Sequence, residues 1–237
     1  MKSGYPERMK KLAVVTGANR GLGLSLVDEF SESGWDVIAI ARSPRPENTG
    51  ADPHDVVTVR QDVRSDVAAG LLEVLNGRPV DLLINNAAQG APHGELGSIP
   101  PAGILNSVDV NVAGPLRLVQ FLLPNLLAAP DSIIINMTSR LGSLAAQANG
   151  DFSHLSTSYA YKISKAAQNM LTVSLAQDLQ GRVRCWAVHP GKLATDLGQA
   201  DASKDPRTAA RQLRELVESG VRTSPRFCSL GEQDLPW

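Results

Sequence analysis

Short runs rich in valine, isoleucine and leucine alternate with longer amphipathic segments along this 237-residue chain. The apolar runs, which are strand candidates, cover 11–17, 36–41, 55–60, 80–85, 131–137 and 183–189. Helical periodicity marks 21–33, about 64–76, 102–128, 157–179 and 206–219. Such alternation predicts βαβ units, in which helices cover both faces of a parallel sheet. We therefore expect an α/β, single-domain Rossmann fold with a doubly wound parallel sheet of about seven strands.

The composition favours one domain over residues 1–237. Hydrophobic residues make up 43% of the chain, which is enough to build the core of one large α/β domain. Neither a repeat nor a linker divides the sequence, and the proline-rich stretch at 43–53 is expected to be a connecting loop. The polar residues 1–9 are expected to form a flexible tail.

The charge balance and the apolar pattern exclude several classes of partner. The formal net charge of −1 indicates neither a nucleic acid nor a membrane surface as a partner. The longest apolar run, at 116–129, is interrupted by polar residues and a proline, so it is too short to span a bilayer. The N-terminus lacks the apolar region of a secretory signal, and we expect a cytoplasmic protein.

The cysteines and histidines predict no metal site. Cys185 and Cys228 lie far apart and form no CxxC pair, which argues against a disulfide framework and against a zinc site. His54, His93 and His189 match no metal-ligand spacing.

The first predicted strand runs directly into the sequence TGANRGLG at 16–23. Gly17, Gly21 and Gly23 lie where the strand gives way to a helix. Glycine there lets the backbone approach a pyrophosphate at a helix N-terminus, whose free N–H groups favour an anion. The spacing G-x-x-x-G-x-G differs from the general dinucleotide fingerprint, and an ordinary turn is the alternative. The position between a first strand and an amphipathic helix favours a dinucleotide site.

The end of the second predicted strand indicates which dinucleotide is bound. An NAD site usually has an acidic residue there to hold the ribose 2′-hydroxyl. Here Asp36 opens the strand, while Arg42 and Ser43 follow it, and Arg20 lies in the glycine loop. Each arginine alone could be a solvated surface charge. Two guanidinium groups near one ribose suit a 2′-phosphate, so the sequence predicts NADP(H) as the cofactor.

The segment YAYKISK at 159–165 carries a candidate acid–base pair. Tyr161 and Lys165 are four residues apart, so they share one face of a helix. A nearby ammonium lowers the pKa of a phenol, which then can give a proton to an alkoxide. Tyr159 has no lysine at that spacing. Packing alone also produces such pairs, and the pair is not decisive by itself.

Several motifs occur in order with this pair. They are TGxxxGxG, NNAA at 85–88, Asn111 in DVNVAG, Ser139 in NMTSRLGS, YKISK at 161–165 and HPGKLATD at 189–196. Together they resemble the short-chain dehydrogenase/reductase family over essentially the whole chain. Within that family, the chain looks most similar to the small NADPH-dependent carbonyl reductases.

The resemblance implies a catalytic tetrad. Ser139 would polarise the substrate carbonyl, and Tyr161 would be the proton donor. Lys165 would lower the pKa of Tyr161 and hold the nicotinamide ribose, while Asn111 would hold a water that connects Lys165 to solvent.

The resemblance also implies a set of cofactor-binding residues, in which Asp62 and Val63 contact the adenine and Thr195 faces the nicotinamide carboxamide. The set is Gly17, Asn19, Arg20, Gly21, Leu22, Gly23, Arg42, Asp62, Val63, Asn86, Ala87, Tyr161, Lys165, Pro190, Gly191 and Thr195. In relatives, the segment that corresponds to 192–222 closes over the substrate, and we expect the same of it here.

The spacing between the serine and the tyrosine departs from the family pattern. Ser139 and Tyr161 are 22 residues apart, and the family commonly has a shorter gap. The extra residues would form a loop at the mouth of the site, with Phe152, His154 and Leu155 lining the entrance.

These residues predict an NADPH-dependent reductase of a small-molecule ketone, aldehyde or quinone. The same machinery could act mainly as an alcohol dehydrogenase. A second hypothesis is a sensor or regulatory protein that binds NADP without turnover. A serine hydrolase is rejected because no G-x-S-x-G elbow occurs. In many relatives, the helices at 102–128 and 157–179 form subunit interfaces, and a homodimer is expected.

Overall fold

The computed structural model describes residues 10–46, 55–90, 94–155, 157–193 and 204–237. Within these residues, parallel strands form one sheet of seven in the order β3-β2-β1-β4-β5-β6-β7. The strands are β1 Leu12–Thr16, β2 Asp36–Ala41, β3 Val56–Arg60, β4 Leu82–Asn85, β5 Ile133–Met137, β6 Arg184–His189 and β7 Arg226–Ser229. The predicted α/β class, the doubly wound parallel sheet and the strand number are confirmed.

Helices cover both faces of this sheet, as predicted. They are α1 Gly21–Glu32, α2 Ala69–Leu75, α3 Pro101–Val108, α4 Gly114–Ala128, α5 Leu144–Ala148, α6 Tyr159–Leu179 and α7 Pro206–Glu218. One core cluster joins β1 to α1 and α7 through residues such as Val15, Leu26 and Leu213. The other joins β1 to α2, α4 and α6 through residues such as Val14 and Leu118. Alternate residues of a buried strand therefore serve opposite cores.

The helical segment predicted at 102–128 is interrupted. A π-helical turn, Asp109–Ala113, separates α3 from α4. Pro115 lies in the first turn of α4 and has no N–H, so it cannot donate the α-helical hydrogen bond to the carbonyl of Asn111. The chain widens at this point, and the wide turn places Asn111 in the interior, where it is fully buried.

The carboxyl ends of β1 and β4 form the crevice at which the strand order reverses. The Thr16 hydroxyl oxygen accepts hydrogen bonds from the main-chain N–H groups of Asn86, at 3.0 Å, and Ala87, at 2.9 Å. The Asn86 side chain donates to the Thr16 carbonyl at 2.9 Å. The loop after β4 is therefore fastened to the glycine loop after β1.

Two glycines allow this close contact. Gly17 has a φ of +66°, in the left-handed region that favours glycine. A Cβ at Gly23 would lie 2.1 Å from the Gly17 carbonyl oxygen and 2.6 Å from Nδ2 of Asn86. The first turn of α1 can approach the loop only because residue 23 has no side chain. Across the described ranges, every helix is too short or too polar to cross a membrane.

Candidate active site

The predicted catalytic residues come from different elements that meet beyond the carboxyl ends of β4 and β5. Asn111 lies in the π-helical turn, Ser139 follows β5, and Tyr161 and Lys165 belong to α6. Helix α6 begins next to the site because the Ser158 side chain accepts a hydrogen bond from the N–H of Tyr161 at 3.2 Å. Tyr161 is therefore held in the first turn of the helix.

A close backbone approach sets Ser139 beside α6. A Cβ at Gly142 would lie 2.7 Å from the carbonyl carbon of Lys165 and 2.8 Å from its oxygen. Oγ of Ser139 accepts from the N–H of Leu141 at 3.2 Å, which fixes the serine rotamer. The Ser139 hydroxyl lies close enough to the Tyr161 hydroxyl to lower the pKa of the phenol. The structure thus brings the two hydroxyls together, as the sequence predicts.

The Tyr161 hydroxyl is protonated in this arrangement. Burial raises the pKa of Tyr161, and the nearby Ser139 hydroxyl partly opposes that effect. A phenol of raised pKa holds its proton at neutral pH and is available as a hydrogen-bond donor. Tyr161 therefore has the protonation state that a general acid needs.

The ammonium of Lys165 is bound by the sheet and by its own helix. Only 2% of the residue is exposed. Its Nζ donates to the main-chain carbonyl of Met137 at 2.8 Å and to Oε1 of Gln168 at 2.9 Å. Nζ lies 5.8 Å from the Tyr161 ring centroid. The role of Lys165 in lowering the Tyr161 pKa stays a prediction, because burial and Ser139 set that pKa here.

Asn111 uses its whole side chain for structural hydrogen bonds. Its Oδ1 accepts from the N–H of Gln89 at 2.8 Å, and its Nδ2 donates to the Gln89 carbonyl and to Ser164 Oγ, both at 2.9 Å. The amide therefore joins the loop after β4 to α6. The role of Asn111 in holding a water stays a prediction.

The glycine loop has the features of an anion site. Helix α1 has no side-chain N-cap and no acidic residue in its first turn, so its N-terminal N–H groups face the crevice uncapped by a side chain. Asn19 Nδ2 donates to Ser43 Oγ at 2.7 Å, which ties the loop to the end of β2. This bond brings the segments that carry Arg20 and Arg42 together, and both side chains are exposed.

The predicted adenine contacts have other partners in this structure. Nη2 of Arg64 forms an ion pair with Oδ2 of Asp62 at 2.8 Å, and this hydrogen bonding lowers the pKa of Asp62 to about 2. Val63 packs against Gly114, where an added Cβ would lie 3.0 Å from the Val63 side chain. Both residues still border the crevice, at the carboxyl end of β3.

The segment after β6 is described only in part. Pro190 and Gly191 follow the strand, and Gly191 has a φ of +94° that suits glycine. Thr195 lies outside the described residues. Within the segment at 192–222 that was predicted to cover the substrate, residues 206–218 form α7, whose Ala209 and Leu213 are fully buried. That helix is part of the core.

The extra residues between Ser139 and Tyr161 form the short helix α5 and a series of turns. The Arg140 guanidinium lies 5.2 Å from the Phe152 ring centroid, so this insertion contacts the residue that follows Ser139 in the sequence. His154 is exposed and Leu155 is half-buried. The N–H of Ala145 donates to the carbonyl of Trp237 at 3.0 Å, so the end of the chain packs on this insertion.

His189 is a neutral group beside the site. Burial lowers its pKa to about 3, and the positive charges of Arg140, Lys204 and Lys165 act in the same direction. It stays uncharged at neutral pH. No group of three or more His, Cys, Asp or Glu that could hold a metal ion occurs in the part of the chain that the structure describes.

The sequence analysis missed Gln89, Ser164 and Gln168, which hydrogen-bond to the side chains of Asn111 and Lys165. Gln168 carried a readable signal. It lies three residues after Lys165, on the same helical face. The other residues on that face are mostly small or apolar. The contacts of Gln89 with Asn111 depend on how two distant loops meet, which no local spacing reveals.

The comparisons with known proteins agree with this geometry. The sequence profile described as short chain dehydrogenase matches residues 11–206. The chain therefore belongs to the short-chain dehydrogenase family and is an oxidoreductase of that family. The predicted family membership is confirmed.

Individual relatives make the resemblance more specific. The C-signal protein of Myxococcus xanthus is 35% identical over 162 residues, which cover 67% of this chain and 93% of that protein. The NADPH-bound carbonyl reductase from chicken fatty liver has a TM-score of 0.84 at 25% identity, with 96% of this chain and 99% of that chain covered. The carbonyl reductase Sniffer of D. melanogaster has a TM-score of 0.83 at 25% identity, with 97% and 100% covered. The predicted similarity to carbonyl reductases is confirmed.

Replacing Lys165 with methionine is expected to change how stability depends on pH. A lysine in an unfolded chain has a pKa of about 10.4, whereas burial lowers that of Lys165 to about 7. Between these values the unfolded chain keeps the proton and the folded protein does not, so stability rises with pH. The free energy of unfolding of the wild type should rise, relative to that of Lys165→Met, by about 1.4 kcal/mol per pH unit between about pH 7.5 and 10.

Urea titrations of the cofactor-free proteins across this range measure the effect. Subtracting one protein from the other isolates the lysine, because both retain Cys185 and Cys228. Burial raises the pKa values of these thiols to about 12 and about 11, respectively, and their contribution cancels. A stability difference that stays flat from pH 7.5 to 10 would contradict a lowered pKa for Lys165.

Proposed function

We propose that this protein is an NADP(H)-dependent carbonyl reductase that converts a ketone, aldehyde or quinone into an alcohol. The observation that carries the proposal is the closeness of the Ser139 hydroxyl to a protonated Tyr161, on the same side of the sheet as the uncapped N-terminus of α1 at the carboxyl end of β1. Two hydroxyl donors at one point suit a carbonyl oxygen on which negative charge develops. The relative from chicken fatty liver is described as an NADPH-bound carbonyl reductase, which favours the same activity here.

The glycine loop and the two arginines would hold the cofactor. The N–H groups at the start of α1 would bind the pyrophosphate, and Arg20 and Arg42 would bind the 2′-phosphate. When bound, NADPH supplies a hydride to the carbonyl carbon. Pro190 and Gly191 would border the nicotinamide, with Thr195 at its carboxamide.

The side chains of the tetrad handle the proton. Ser139 would donate a hydrogen bond to the substrate oxygen, and Tyr161 would transfer its phenolic proton to that oxygen as the alkoxide forms. Lys165, together with a water held at Asn111, would return a proton to Tyr161 from solvent. The same groups also support the reverse reaction, an alcohol oxidation. Use of NADP(H) favours reduction, because that pool is usually kept reduced in a cytoplasm.

Replacing Tyr161 with phenylalanine is expected to lower kcat at least ~100-fold, because the general acid is lost. The dissociation constant of NADPH should change less than about twofold, since the ring and its packing remain. The assay follows NADPH oxidation with a panel of aldehydes, diketones and quinones, and a fluorescence titration measures cofactor binding. Tyr159→Phe is the matched control, because Tyr159 lies two residues away on the same helix and is 42% exposed. Tight NADPH binding by the wild type without any turnover would favour the sensor hypothesis instead.

Neutralising the two arginines tests the choice of cofactor. The double variant Arg20→Gln/Arg42→Gln should weaken NADPH binding at least ~10-fold, because charge-assisted hydrogen bonds to the 2′-phosphate are lost. NADH binding should change little. Arg222→Gln is the control, since Arg222 is exposed and pairs with Asp131 at the opposite edge of the sheet. Equal losses for both dinucleotides would show that the arginines do not select the phosphate.

We also propose that the protein is a homodimer. Tyr159, Ile163 and Met170 are 42%, 41% and 61% exposed and share one face of α6. Leu105 of the neighbouring α3 is 70% exposed. An apolar face of this kind, continuous over two helices, suits contact with a second copy of the chain.

Met170→Glu should shift the sedimentation profile from dimer to monomer, because a charge would be buried in the interface. Leu72→Glu is the control, since Leu72 is 62% exposed on α2, on a different helix. A monomeric wild type at micromolar concentration would refute the proposal.

A further inference from the structure

Gln168 is a buried polar residue that the proposed reaction does not use. It lies in α6, three residues after Lys165, and none of its surface is exposed. Its Oε1 accepts a hydrogen bond from Nζ of Lys165 at 2.9 Å. The side chain therefore contacts the lysine of the proposed tetrad directly.

The burial of this amide is costly unless the lysine contact compensates for it. Nε2 of Gln168 has no hydrogen-bond partner among the described residues. A buried amide N–H₂ without an acceptor destabilises a folded protein, and a leucine of similar size would avoid that cost. The favourable interaction of this side chain is thus the one between its carbonyl oxygen and the ammonium.

We propose that Gln168 is a positioning residue for Lys165, which holds the ammonium against β5 and favours its charged form. The main-chain carbonyl oxygen of Met137 on β5 and the side-chain oxygen Oε1 of Gln168 on α6 accept hydrogen bonds from the same Nζ. Two oxygen dipoles directed at one nitrogen stabilise a positive charge and fix its place. The consequence for catalysis rests on the proposed function, but the contact itself does not.

No charged group near Lys165 among the described residues stabilises its positive charge, so neutral oxygens do so. On its own helix the titratable neighbour is Tyr161, whose pKa is raised by burial, and on β6 it is His189, whose pKa is lowered to about 3. Both are uncharged between pH 6 and 9. Arg140, near His189, adds only positive charge. Burial lowers the pKa of Lys165, and no carboxylate among the described residues opposes it.

Thr172 provides a matched control on the same helix. Its Oγ1 donates to the main-chain carbonyl of Gln168 at 3.0 Å and accepts from Nδ2 of Asn136 at 2.9 Å. Asn136 in turn accepts from Asn85 at 2.9 Å, so buried amides of β4 and β5 are linked to α6. Thr172→Val removes buried hydrogen bonds from this helix without touching the lysine.

The experiment is a set of double-mutant cycles on the cofactor-free, full-length protein. Gln168→Leu, Gln168→Glu and Thr172→Val are each made with Lys165 present and with Lys165→Met. Urea titrations from pH 6 to 10 give the free energies of unfolding. In each pair, the stability difference between the lysine and methionine proteins begins to rise at a certain pH, which we call the onset pH.

Gln168→Leu should lower the onset pH by about one unit, because the charged lysine loses a hydrogen bond. Gln168→Glu should raise it by at least about one unit, because a carboxylate favours the ammonium. Thr172→Val should leave it unchanged. If Gln168→Leu does not fold, Gln168→Met, which keeps the length of the side chain, takes its place. The same onset pH in all Gln168 variants would refute the proposal and leave Gln168 a packing residue.

A kinetic measurement separates this proposal from the proposed function. The limb of the kcat–pH profile that moves in Lys165 variants should move in opposite directions in Gln168→Leu and Gln168→Glu. Shifted onset pH values without turnover of any carbonyl would support the positioning role and count against the reductase. Turnover with unchanged onset pH values would support the reductase and overturn the positioning role.

Discussion

The close passage of one loop against one helix is the constraint on which the site depends. At Gly142 the chain after β5 lies so near the backbone of α6 that a side chain would collide with Lys165. This contact sets the distance between the strand end that carries Ser139 and the helical turn that carries Tyr161. The hydroxyls of Ser139 and Tyr161, 22 residues apart in the sequence, are thus brought together by a main-chain contact.

Much of the fold could be predicted from the sequence because strands that are buried on both faces have a recognisable local pattern. The strands of a covered parallel sheet are continuous apolar runs, and α1 shows a single apolar stripe. The last strand, Arg226–Ser229, was not located, since four residues without an apolar run give no comparable mark. The break at Asp109–Ala113 was missed as well, although Pro115 is the local cause.

The sequence predicts which residues form the candidate site better than it predicts where their side chains point. The spacing of Tyr161 and Lys165 places both on one helical face, and the structure agrees. Whether the ammonium faces the phenol or the sheet depends on where the Met137 carbonyl falls, which is a tertiary distance. Gln168 lies three residues after Lys165 on the same helix, so local spacing brings it within reach of the lysine but does not show which atoms meet. Sequence spacing names residues, while packing decides which atoms meet.

The buried amide hydrogen bonds between β4, β5 and α6 fix how precisely α6 is aligned on the sheet. An apolar helix can slide or rotate slightly over a sheet at small cost, because dispersion contacts are undirected. The chain of hydrogen bonds from Asn85 through Asn136 to Thr172 allows one alignment, since a shift of a single residue would leave several polar groups unpaired. The contribution of these side chains is to specify this alignment, more than to add stability. The orientation of α6, and with it the position of Tyr161, is thereby fixed by hydrogen bonds at the other end of the sheet contact.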